Sequence, residues 1–156
     1  MTLDQVAIRR ARRSDLPAIV AILADDELGR HREDASLPLN SAYEDAFTAL
    51  DADPNQLLAV ADLEGTVIGT LQLTFIPGIS RMGAWRGLIE GVRVARDHQN
   101  AGLGGRMFSW AIEECRRRGC GLVQLTSDKS RDGAHRFYDR LGFTASHEGY
   151  KLFLGE

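Results

Sequence analysis

The chain is predicted to fold as an α/β (α+β) domain, a mixed sheet flanked by about four helices, and three observations carry that expectation. Gln56–Asp62 is strand-like, and apolar residues alternate with period two through Thr66–Ile76, where Val67, Gly69, Leu71, Leu73 and Phe75 share a face. The pair Glu64-Gly65 between them marks a hairpin turn. At Leu103, Met107, Trp110, Ala111 and Cys115 the apolar spacing becomes helical. Finally, a strand ending near Val94, that helix, and a strand with Leu122, Val123 and Leu125 follow one another with short joints. Such an order favours two parallel strands joined by a right-handed crossover.

Taken in order, Val6–Arg10 forms a short first strand. Ser14 can cap the next helix, Pro17 is tolerated in its first turn, and Leu16, Ile19, Val20 and Leu23 give its apolar stripe. From residue 25 to 39 the pattern dissolves into a charged loop or frayed helix end. Its acids, Asp25, Asp26, Glu27, Glu33 and Asp34, form either a solvated surface or an attraction for a cationic substrate. Tyr43, Ala46, Phe47 and Leu50 restore a second helical stripe. After the hairpin, Pro77-Gly78 opens a loop over residues 79–86. Arg116, Arg117 and Arg118 crowd the end of the helix that begins near Leu103, where its dipole favours cations, and Gly119 stops it. A short helix follows with Ala134, Phe137, Tyr138 and Leu141 in register, ended by Gly142. Residues 143–156, with Tyr150, Lys151, Leu152, Phe153 and Leu154, read as a last strand.

With 156 residues, 44% of them apolar, and no internal repeat, the expectation is one domain over residues 1–156. The net charge of -3 supplies no basic field to hold nucleic acid, and the arginines of Ile8-Arg9-Arg10-Ala11-Arg12-Arg13 suit an exposed strand face. No long apolar run marks a membrane span, and Met-Thr-Leu-Asp-Gln has no signal-like core, so the expected location is the cytoplasm. Cys115 and Cys120 match no metal-binding spacing; they are expected to be reduced, and no metal is expected.

The stretch Leu88–Met107 organises the rest. Val92 and Val94 carry a strand, and Gly102, Gly104 and Gly105 strip side chains from the start of a helix. Amide N–H groups there lack internal partners and carry a partial positive charge, so a bare helix start can receive a phosphate, although such glycines also serve simple tight turns. The spacing fits neither the dinucleotide fingerprint nor the nucleoside-triphosphate loop.

Gln99-Asn100-Ala101-Gly102-Leu103-Gly104 instead resembles the Gln/Arg-x-x-Gly-x-Gly/Ala pyrophosphate loop of the GCN5-related N-acetyltransferase (GNAT) family. Ala134-His135-Arg136-Phe137-Tyr138-Asp139-Arg140-Leu141-Gly142-Phe143 is similar to that family's Ala-x-x-Phe-Tyr-x-x-Leu-Gly-Phe segment. The resemblance implies a mostly antiparallel sheet splayed between two central parallel strands, with acetyl-CoA in the gap and no metal. By similarity, Val92 and Val94 would offer main-chain bonds to pantetheine. Gln99, Ala101, Gly102, Gly104 and Gly105 would surround the pyrophosphate, with Arg106 supplying charge. Arg131 stands where many relatives carry an asparagine that contacts the cofactor.

The implied activity is acetyl transfer to a primary amine of a small molecule or protein by direct attack on the thioester. The alternative is a non-catalytic acyl-CoA sensor of the same fold; a homodimer is possible for either. An alkylammonium of pKa ~10.4 must lose a proton at pH 7, which costs about 4 to 5 kcal/mol, so a base is useful. Glu90 shares alternation parity with Val92 and Val94, so in an unbulged strand it points the way they do, toward the expected thioester. It is the leading base candidate, through water, against a solvated strand-end carboxylate; His147 is the reserve. The family's tyrosine falls on Tyr138, whose phenol, pKa about 10, would protonate the leaving thiolate.

Overall fold

The computed structural model describes residues 2–155, with Asp132 described by its backbone alone. The chain divides into two compact units, Met1–Val123 and Gln124–Glu156.

In the first unit, β1 (Val6–Arg10), β2 (Gln56–Leu63), β3 (Thr66–Ile76) and β4 (Trp85–Val94) pair antiparallel in sequence order. The β2–β3 turn uses Glu64 at φ 49° and Gly65 at φ 94°, two left-handed residues whose twist suits a two-residue hairpin. β5 (Cys120–Leu125) is the strand beside β4. A Cβ built on Gly121 would lie 3.6 Å from the Ala84 Cβ, and one on Gly87 would lie 3.9 Å from the Cys120 sulfur. Both strands therefore begin at the same end of the sheet, which is the parallel arrangement expected of the crossover.

Helices cover both faces. On one, Leu16 and Ile19 of α1 (Leu16–Ala24) and Phe47 of α2 (Ser41–Ala52) enclose Val60 and Ala11, with Leu58 and Val67 packed against them. On the other lies α4 (Leu103–Arg117), which buries Leu103, Met107, Phe108, Ala111 and Cys115. Gly69 of β3 sits beneath Met107 and Gly87 of β4 beneath Cys115. Glycine at these positions lets the helix approach the sheet closely. Gly119, at φ 78°, ends the helical path after α4. The arginines there have local partners: Arg116 pairs with Glu113, Arg117 with Glu114, and Arg118 lies 4.1 Å over the Phe75 ring. α3 (Ser80–Gly83) is a single turn whose Arg81 and Met82 are left-handed, at φ 56° and 59°.

Ser14 is not the cap of α1. Asp15 occupies the N-cap, and its carboxylate accepts from the Arg12 N–H at 2.7 Å and from Arg9 at 2.8 and 3.1 Å. α2 has the expected kind of cap, Asn40 accepting from the Ala42 N–H at 2.9 Å.

In the second unit, α5 (Asp132–Arg140) is followed by Gly142 at φ 94°. The expected last strand is absent: residues 143–155 form no helix or strand, and Tyr150, Leu152, Phe153 and Leu154 are exposed. A strand is made by pairing, which local β propensity alone does not supply, and among the described residues none runs beside this segment.

Candidate active site

The site begins with an irregularity in β4. Glu90 opposes Gln72 and Arg93 opposes Thr70, so Gly91 and Val92 together face the single residue Leu71. Two residues against one is a β-bulge. Gly91 sits in it at φ 61°, a conformation that glycine adopts without steric cost.

The bulge corrects the parity expected for Glu90. Val94 opposes Gly69, beneath Met107 of α4. Glu90 opposes Gln72, which in turn opposes Leu58 of the α1/α2 cluster. Glu90 and Val94 thus belong to opposite faces, because the extra residue reverses the alternation. Glu90 and Gly91 are both exposed. A polar strip continues from Glu90 along its face: Gln72 Nε2 and Thr74 Oγ1 both donate to Gln56 Oε1, at 3.2 and 2.9 Å.

Beyond β4 the chain makes a 3-10 turn, Arg96–His98, then two left-handed residues, Asn100 at φ 63° and Gly102 at φ 84°. Gly102 caps α4 without a side chain, and the Arg106 N–H donates to its carbonyl at 3.2 Å. The amides of Leu103, Gly104 and Gly105 precede that first intrahelical bond. A Cβ built on Gly104 or Gly105 would meet nothing within 4 Å, so open space adjoins these amides. A diphosphate fits such a helix start.

Some side chains expected at the cofactor have protein partners. Gln99 Nε2 donates to the Val94 carbonyl at 3.1 Å, and Arg93 Nη1 to the Val92 carbonyl at 2.8 Å. Arg106 Nη1 donates to the carbonyls of Leu3 and Val6, so this arginine ties the N-terminal segment to α4.

The acidic loop after α1 is held against β4 and the turn that follows it. Arg93 Nε makes a close ionic contact with Asp26 Oδ2, 2.6 Å away but out of line for a hydrogen bond. Arg96 reaches both carboxylate oxygens of Asp25, at 2.8 and 3.3 Å, which lowers the Asp25 pKa. Glu33 accepts from the Tyr43 hydroxyl at 3.0 Å; burial raises that phenol's pKa. Asp34 accepts from the Ser36 hydroxyl at 2.6 Å, and this bond lowers its pKa. These four carboxylates therefore organise the loop.

Within the second unit, the half-buried Tyr138 ring stands edge-on to Phe137 and Phe143, with centroids 5.7 and 6.2 Å apart. The Phe143 N–H donates to the Tyr138 carbonyl at 3.1 Å. Arg131 is the N-cap of α5; its N–H donates to the Asp128 carbonyl at 3.0 Å. His147 is exposed, its Nδ1 2.7 Å from Ser146 Oγ.

Sequence reasoning missed Gln56, Gln72, Thr74, Arg93 and Arg96. Gly91, a lone glycine inside a strand, was the signal that could have exposed the bulge.

Residues 16–143 match the model of the acetyltransferase (GNAT) family. The chain belongs to that family. This GNAT protein is 30% identical over 140 residues to the aminoalkylphosphonate N-acetyltransferase of Salmonella typhimurium (strain LT2), spanning 90% of this chain and 86% of that protein. It is 46% identical to a solved structure described as a transcriptional regulator from Bacillus halodurans C-125, with a TM-score of 0.93 over 96% of this chain and 99% of that one. An acetyltransferase of Trypanosoma brucei is 26% identical with a TM-score of 0.78, over 96% and 99% of the two chains. The protein is an N-acetyltransferase, and GNAT enzymes in general take the acetyl group from acetyl-CoA. No described helix is long and apolar enough to cross a membrane.

Proposed function

We propose that this GNAT protein acetylates a small primary amine that also carries an acidic group. The bulge at Gly91 carries the proposal, since it opens Glu90 on the α1/α2 face while the same strand leads into the glycine-lined start of α4. The Salmonella relative, named for aminoalkylphosphonates, supports an acceptor of this class.

Acetyl-CoA supplies the acyl group as a thioester. In this proposal the amides at Ala101, Gly102, Gly104 and Gly105 hold its pyrophosphate, and the main chain of Val92 and Val94 meets the pantetheine arm. Gln99 takes part through its backbone, because its side chain bonds Val94. Arg131 remains a candidate cofactor contact by its place in the second motif. Glu90 accepts the ammonium proton through water, leaving a neutral amine to attack the acyl carbon. Tyr138 gives its phenolic proton to the departing thiolate.

The test is thiol release from acetyl-CoA across amines of graded length and charge. Glu90→Gln should lower kcat while leaving the KM for acetyl-CoA nearly unaltered. Tyr138→Phe should lower kcat tenfold or more, within the roughly 10²–10⁴ range of general acid catalysis, before it weakens acetyl-CoA binding. Unchanged turnover in Tyr138→Phe would remove that residue from the chemistry. Failure of the wild type to release thiol with any amine would sink the acceptor proposal.

A further inference from the structure

We infer that the turn Arg30-His31-Arg32 binds the acidic group of the acceptor. The inference rests on the acceptor class proposed above and assigns the residues that select it.

The loop over residues 25–34 contains five acids, yet four have polar partners. Asp25 is held by Arg96, Asp26 by Arg93, Glu33 by Tyr43 and Asp34 by Ser36. Exposed alongside Asp25, Asp34 and the fifth acid, Glu27, are three consecutive basic residues, Arg30, His31 and Arg32. Among the described residues, no hydrogen bond or ion pair joins the side chain of His31 or Arg32, and Arg30 Nε has only the Asp26 carbonyl, at 3.5 Å. With Arg30 and Arg32 against Glu27 alone, a loop acidic by sequence is therefore net cationic in its unpaired side chains.

The turn is also built into place. Gly29 is buried, its N–H donates to Asp26 Oδ1, and a Cβ there would overlap the Leu23 carbonyl. The Arg30 and Arg32 N–H groups donate to the carbonyls of Asp26 and Gly29 at 3.0 and 2.9 Å. Asp26 ties this turn to Arg93, on the Glu90 face of the sheet. Glu90 and Arg93 are three residues apart, at most roughly 10 Å at a strand's rise, a span that a short amino acid or aminophosphonate bridges together with an arginine side chain. Guanidinium groups suit planar carboxylates and phosphonates alike.

The cofactor's phosphates offer the same chemistry. α4, whose start Gly102, Gly104 and Gly105 line, packs on the opposite face, however, with Met107 over Gly69 and Cys115 over Gly87. The acceptor is therefore assigned as the source of the anion.

The experiment compares wild type with Arg30→Gln/Arg32→Gln, and separately His31→Asn, on 2-aminoethylphosphonate and on an uncharged amine of equal length. For the double variant, the preference for the anionic acceptor in kcat/KM should fall roughly tenfold to a hundredfold, the loss of one or two charge-assisted bonds. His31→Asn should reduce it less. Calorimetry of 2-aminoethylphosphonate binding, without turnover, should show the same loss. Equal falls for both amines would mean a structural effect. A raised KM for acetyl-CoA alone would reassign the cations to the cofactor. No change in either measurement would overturn the inference. If wild type turns over neither amine but binds the phosphonate through these residues, the acetyl-transfer proposal fails while the anion site stands.

Discussion

Asp26 Oδ2 stands 2.6 Å from Arg93 Nε, joining the loop after α1 to the strand that carries Glu90. Both side chains are largely shielded, so removing one charge leaves the other poorly solvated. Asp26→Asn should cost about 1–3 kcal/mol in urea unfolding. It should raise the acceptor KM more than the acetyl-CoA KM. A parallel rise in both would show that the pair does not serve the acceptor loop in particular.

Gly87 has no room for a side chain. A Cβ at this position would overlap the Cys115 sulfur, which is fully buried under α4. Burial pushes the Cys115 thiol pKa up to about 12, so it is a neutral packing group. Gly87→Ala should destabilise by about 1–3 kcal/mol, the ordinary cost of overpacking. Gly87→Ala/Cys115→Ala should recover most of that loss. An additive double variant would mean that the strain lies elsewhere.

At the start of α4, open space and function separate cleanly. Gly104→Asp should leave the melting temperature nearly unaltered, since an acid suits a helix N-terminus and a Cβ there meets nothing within 4 Å. Acetyl-CoA affinity should nevertheless fall at least tenfold in calorimetry, because a carboxylate repels the pyrophosphate. Retained affinity would argue against a phosphate at these amides.

Acid stability should depend on Asp15. Hydrogen bonds from Arg9 hold its carboxyl below the usual range, assisted by the Arg12 N–H and opposed by burial. Its folded pKa is thus below the unfolded value of about 3.9, so the stabilisation is present above that pH and is lost as pH falls through the folded pKa. Thermal melts between about pH 2 and 5 should show a steeper acid limb in wild type than in Asp15→Asn. Equal limbs would assign acid sensitivity to other carboxylates.

The hairpin and the α4 stripe were legible because each is a local pattern of period two or 3.6. The bare helix start was legible because glycine reports backbone space. Glu90 was legible as a base candidate on the organising strand, but the face assigned to it held only for an unbulged strand, since the parity rule carries no term for an inserted residue. The loop's polarity was equally hidden, because the partners of Asp25 and Asp26 lie about seventy residues away, at Arg96 and Arg93. For residues 143–155, β propensity was visible, but a neighbour to pair with is not a local property.

The two-against-one pairing at Gly91 also limits how this gene can change length. Loops at residues 25–40 and 77–84 can gain or lose a codon and leave the flanking side chains facing as before. A single-codon deletion between Glu90 and Arg93 would set one residue against Leu71, keeping Arg93 opposite Thr70 and Val94 opposite Gly69 but erasing the bulge and the bend it gives β4. Insertions and deletions tolerated elsewhere on the surface should therefore be purged here, even when they remove only a glycine.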